Sequence, residues 1–149
     1  MRMFLTLYTI GFTGKTAQEF FEALQGTKAR HLLDIRLRNN SQLAGFTKKG
    51  NIEYFVDKLT HLVYREMPLF APEEAMFKQY RSDGDWEACE ARHLALLNER
   101  GASGKVARDL LADGAVLLCS EPTPEKCHRR LAAEYLIAET DGQANLVHL

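Results

Sequence analysis

Ala115, Val116, Leu117, Leu118 and Cys119 form an apolar run with no polar residue at alternate positions. A strand with one wet face alternates, whereas a strand of a parallel sheet is covered on both faces and reads as continuous apolar sequence. Gly114 precedes the run, and Ser120 to Pro124 follow it, so turn residues bracket it. Thr123 is suited to cap a helix with Pro124 at its first position, running to about Thr140. A buried strand feeding directly into a helix is half of a βαβ unit, and the rest of the chain repeats the alternation.

Phe4 to Ile10 is rich in aromatic and β-branched residues and stops at Gly11, which reads as strand then turn. Thr16 with Glu19 matches a capping box, and Ala17, Phe20, Phe21 and Leu24 keep helical spacing behind it. His31 to Ile35 predicts a second strand. Ile52, Phe55, Val56 and Leu59 predict an amphipathic helix, and Leu62 to Tyr64 a short strand. Pro68 and Pro72 loosen the pattern from Met67 to Asp85, where Ala75 to Tyr80 suggests a short helix. Helices are expected over Trp86 to Arg100, with Asp85 as cap, and over Ser103 to Ala112. Asn145 to His148 offers a final edge strand. Strands separated by helices predict a single α/β domain over residues 1–149, three-layered and Rossmann-like. About five mainly parallel strands would carry helices on both faces.

Composition sets limits. The 149 residues carry 19 basic and 20 acidic side chains, a formal charge of -1, which argues against a bulk-basic nucleic-acid binder. No stretch approaches the ~18 apolar residues of a membrane span. Met1 to Ile10 lacks the length and cleavage site of a signal peptide, so no secretion is expected. Three Cys residues, at positions 89, 119 and 127, fit reduced thiols in the cytoplasm better than a disulfide framework.

Ligands of parallel α/β sheets bind beyond the carboxyl ends of the strands. Three polar clusters stand at those ends. In the first, Gly11, Phe12, Thr13, Gly14, Lys15 and Thr16 resemble the tail of a phosphate loop, but the spacing requires Gly where Thr9 stands. A looser anion site on Gly11 and Thr13, using free N–H groups of the next helix, remains open beside a plain capped turn. In the second, Asp34 and Arg36 at alternate positions project to one side, and Arg38 follows. Arg36 suits phosphate or carboxylate with Asp34 orienting it; a structural ion pair is the alternative.

The third cluster runs from Cys119 through Glu121 to Cys127, His128, Arg129 and Arg130. Cys127 falls in the first or second turn of the expected helix, where the dipole and the neighbouring cations favour a thiolate. That pattern suits a nucleophile with Glu121 or His128 handling protons, or an anion clamp on Arg129 and Arg130. Core packing with Leu131 and Tyr135 is the third possibility. Neither Cys119, Cys127 and His128 nor Cys89 and His93 has a zinc spacing, so no metal or cofactor is expected.

Tyr8 to Gly11, Asp34 to Arg36, Leu118 to Glu121 and Cys127 to Arg130 together resemble the domain-of-unknown-function 488 family (YeaO-like proteins) over nearly the whole chain. That family often has His directly after the first Gly, where this chain has Phe12. The resemblance implies an α/β fold with a pocket of Gly11, Arg36, Glu121, Cys127, His128 and Arg129. It implies no activity.

From the residues we expect a cleft that binds oxyanions. Arg36, Arg129, Arg130, Gly11, Thr13, Asp34, Arg38 and Cys119 would hold a phosphate-bearing small molecule or nucleic-acid end. Cys127, Glu121 and His128 would supply the chemistry. A non-catalytic binding module using the same cleft is the alternative. A weaker one is a DNA-associated loop carrying Arg36, Arg38, Lys48 and Lys49.

Overall fold

A computed structural model describes residues 5–37, 45–102, 104–119, 127–139 and 144–149. Five strands form one sheet in the order β3-β2-β4-β1-β5. They are β1 (Leu5–Gly11), β2 (His31–Asp34), β3 (Val63–Glu66), β4 (Ala115–Cys119) and β5 (Ala144–His148). Every neighbouring pair is parallel. The expected α/β sheet is therefore present and wholly parallel.

The order follows from two movements of the chain. From β1 the chain steps to β2 through α1 (Ala17–Gln25) and to β3 through α2 (Asn51–Leu59). It then reverses through α3 (Glu74–Asp83), α4 (Trp86–Glu99) and α5 (Lys105–Asp113) to reach the centre at β4. Finally α6 (His128–Glu139) carries it across to β5. Right-handed crossovers put helices from opposite directions of travel on opposite faces. The core divides accordingly. Ile10, Leu32, Val116 and Leu118 pack with Phe20, Phe21, Leu24, Ile52 and Val56. Leu7, Leu33, Ile35, Ala115 and Leu117 pack with Leu97, Leu110, Ala132 and Leu136 on the other side.

Local signals explain most boundaries. Thr16 and Glu19 form the capping box reciprocally, each side chain bonded to the other's backbone N–H. Asp85 caps α4 by accepting from the Ala88 amide. Gly114 ends α5 at a φ of +94°, and a Cβ there would stand 3.1 Å from the Ala29 Cα. Only glycine suits that turn, whose carbonyl also accepts from the Arg30 and His31 amides. The pattern from Met67 to Asp85 resolves into a 3₁₀ turn at Pro68–Phe70 and then α3. The last helix differs from expectation. Thr123 and Pro124 lie outside the described residues, and α6 is described from His128, so Cys127 precedes the helix instead of riding in its first turns.

All five residues of β4 are buried, the signature that opened the reading of the fold. Truncating Leu117 to Ala removes methyl groups from a site with 0% exposure. The expected cost is about 2–5 kcal/mol, read as a lower urea midpoint at unchanged m-value. A loss below about 1 kcal/mol would mean that β4 is not packed on both faces.

Candidate functional site

The carboxyl ends of β1, β2 and β4 lie side by side. Gly11 is in register with Cys119 and Asp34 with Leu118, while the Ile35 amide donates to the Leu118 carbonyl. Because side chains alternate across a strand, this edge presents two groups of residues, one toward each helical layer.

Toward α1 and α2 stands a polar cluster around Asp34. One carboxylate oxygen accepts from the Arg36 Nε at 2.8 Å and the Arg36 amide at 3.1 Å. The other accepts from the Arg36 Nη2 at 2.7 Å and from the Tyr64 hydroxyl. Arg36 Nη2 also donates to the Thr47 carbonyl at 2.7 Å, and the guanidinium carbon lies 5.5 Å from the Phe12 ring centroid. Burial opposes charge on Arg36, but the bonds from Asp34 outweigh it and raise the pKa. Burial and then the bond to Asp34 likewise push the Tyr64 hydroxyl up. One atom is left over. Arg36 Nη1 is buried and has no hydrogen-bond partner among the described residues.

Toward α6 stands a sulfur cluster. The Cys119 and Cys127 sulfurs are 2.9 Å apart. Arg129 Nη1 lies 3.7 Å from the Cys119 sulfur, and the Arg129 amide points at the Cys127 sulfur at 3.5 Å. Cys127 thus occupies the place of a helix cap, its side chain receiving an otherwise orphaned amide. The expectation that this thiol ionises easily is reversed. Its hydrogen bond to Cys119, followed by burial, pushes the Cys127 pKa up. The helix dipole does not compensate for that shift. The sulfur facing the Arg129 guanidinium is Cys119.

Lys15 stands near the sulfur cluster, with Cys119 and Arg129 among its charged neighbours. Its ammonium donates to the Gly11 carbonyl at 2.8 Å. Burial and then Arg129 lower its pKa, while Glu19 and Cys119 pull it upward. The Gly14-Lys15-Thr16 turn is the sequence signal for this residue. Tyr64 and Thr47 were missed, and nothing local in the sequence marks them, since both reach the site through tertiary packing.

The remaining candidates are placed as follows. His128 is buried, and its Nε2–H donates to the Ile35 carbonyl at 3.0 Å, tying the start of α6 to the end of β2. Its ring also stacks edge-on against His93 and Phe77. Arg130 is paired with Glu134 at 3.2 Å and Glu90 at 4.0 Å, so its charge is engaged along α6 and α4. Thr13 is exposed in the turn after β1. Lys49 pairs with Glu66 at 3.3 Å. Glu121 and Arg38 lie outside the described residues. Among the described residues no group of three His, Cys, Asp or Glu side chains is arranged to hold a metal, and no helix is long and apolar enough to cross a membrane. An apolar groove of about 270 Å³ between α1 and α2, lined by Phe21, Phe46, Phe55 and Leu59, includes none of the expected site residues.

The family model described as "Domain of unknown function DUF488" matches residues 16–136. No curated protein and no solved structure matches the chain.

Two neutral histidines under the site make the fold acid-sensitive. Burial, with His128 and Arg100 nearby, lowers the His93 pKa to about 3. Burial lowers that of His128 to about 4, although its bond to Ile35 opposes the shift. The unfolded chain takes up these protons near pH 6.5, well before the folded one does. Stability is therefore complete above about pH 6.5 and falls as pH drops toward 4, by about 1.4 kcal/mol per pH unit for each ring. Urea unfolding across that range should give a shallower pH slope for His93→Phe than for the wild type. The same slope in both proteins would show that His93 does not contribute.

Proposed function

The chain belongs to the DUF488 family, and because that description assigns no activity we propose a function from the site's own chemistry: binding of a phosphate-bearing ligand, a nucleotide or nucleic-acid end, at the carboxyl edge of the sheet. The observation that carries this reading is the buried Arg36 Nη1, which has no partner among the described residues. A charged donor kept from water and left unbonded is costly, and an oxyanion that accepts from it removes that cost. The rest of the guanidinium is already fixed by Asp34 and Thr47, so the free corner is pre-oriented. Asp34 cancels only one charge. The Lys15 ammonium, bonded to the Gly11 carbonyl at the same edge, adds a cation that suits an anion.

In the catalytic form of this function a cysteine attacks the bound ligand. The Arg129 Nη1, 3.7 Å from its sulfur, favours Cys119 as that nucleophile, with the Cys127 sulfur beside it. A non-catalytic binding module is the second reading, and burial favours it: Cys119 is 0% and Cys127 2% exposed. The odd number of cysteines at irregular spacing supports a cytoplasmic, reducing setting for either form.

Inorganic phosphate should raise the melting temperature more than chloride at equal ionic strength. Arg36→Lys keeps the charge beside Asp34 but loses the fork, and should weaken phosphate binding about tenfold or more in calorimetry. Lys15→Ala, on the surface turn, should weaken it less. Equal stabilisation by both salts, or undiminished affinity in Arg36→Lys, would sink the proposal. Product formation with a nucleotide panel selects the catalytic form, and binding without turnover selects the module.

A further inference from the structure

We propose that Cys119 and Cys127 are a redox-active dithiol, oxidised by hydrogen peroxide to an intramolecular disulfide. The pair goes beyond anion binding and stands on its own geometry. Cys119 ends the central strand, and Cys127 stands where α6 begins. Both positions are held: β4 is paired on either side, and His128 bonds the start of α6 to the Ile35 carbonyl. The sulfurs consequently face each other at 2.9 Å. Packing alone gives no reason to aim two thiols at each other beneath a guanidinium. Among the described residues no third ligand turns the pair into a metal site.

The surroundings assign different roles to the two sulfurs. Cys119 has the Arg129 Nη1 at 3.7 Å, which stabilises negative charge on it, and the Cys127 sulfur at 2.9 Å. Cys127 keeps its proton until it is needed. Cys119, as thiolate, attacks one oxygen of the peroxide; the O–O bond breaks, Cys119 becomes a sulfenic acid, and the departing hydroxide leaves as water with the proton Cys119 gave up. The Cys127 sulfur then attacks the Cys119 sulfur. The S–O bond breaks, the disulfide forms, and the Cys127 proton leaves with the hydroxyl as a second water. Two thiols have lost two electrons, and one peroxide has been reduced to two waters. Burial of both sulfurs selects the oxidant by size, so hydrogen peroxide should act and bulky aromatic disulfides should not. Cys89 is buried on α4, its thiol pushed up by burial, and serves as an internal control.

The reduced full chain is exposed to hydrogen peroxide in phosphate-free buffer, quenched, alkylated in denaturant and mapped by mass spectrometry. The wild type should lose alkylation at Cys119 and Cys127 together, keep it at Cys89, and give a linked peptide lighter by two hydrogens. A thiol reductant should reverse the change. Cys127→Ser should halt at a Cys119 sulfenic acid, trapped by dimedone added together with the denaturant, and Cys119→Ser should slow oxidation of Cys127 about tenfold or more. If a variant does not fold, the wild-type map alone decides. Cys89 oxidised first, dimers linked between chains, or both thiols still alkylated after peroxide would each overturn the proposal. Loss of phosphate binding leaves it intact, since no step uses phosphate.

Discussion

β4 is hydrogen-bonded to β1 on one side and to β2 on the other, and neither of its faces meets water. That double demand, parallel pairing along both edges and packing on both faces, is what the rest of the molecule answers. Parallel partners cannot be joined by tight turns, so every connection must cross over with a helix, and those helices supply the two covering layers. The carboxyl end of β4 delivers Cys119 beside Gly11 and next to the end of β2, where the chain's buried polar chemistry collects.

Placing charge at such an edge requires compensation. Asp34 answers it by saturation: four donors, from Arg36 and Tyr64, converge on its two oxygens. A buried ion pair is weak grounds for stability, because desolvation offsets most of the attraction. Its value lies in geometry. With Nε and Nη2 fixed, Nη1 is held in a set direction, buried and without a hydrogen-bond partner among the described residues. The sulfur pair follows the same logic with the opposite charge, since Arg129 and Lys15 bring positive charge near Cys119.

The alternation of strands and helices was legible because it rests on local signals: the AVLLC run, the Thr16–Glu19 box, Asp85 before α4 and the glycine at 114. Each is a backbone requirement that neighbouring residues meet. The site was legible only as a set of addresses. Asp34, Arg36, Cys119 and Cys127 stand out because polar or reactive residues at strand ends have no core to serve. Their partners did not stand out. Tyr64 reaches Asp34 because β3 pairs with β2, and Thr47 contributes a carbonyl that any residue type would have offered.

The reversal at Cys127 shows where reading by position alone fails. A thiol beside a helix start and two arginines reads as acidic when only the helix and its neighbours in sequence are considered. The outcome instead depends on Cys119, eight residues earlier in sequence and on a different element. Burial removes water from both sulfurs, and one proton shared between them cannot favour both thiolates. Coupled groups divide their roles by contact. Arg129 extends its side chain toward Cys119 and only its backbone amide toward Cys127. The stronger donor therefore goes to the strand, and the helix-cap cysteine becomes the proton holder, whatever its position along the dipole would have suggested.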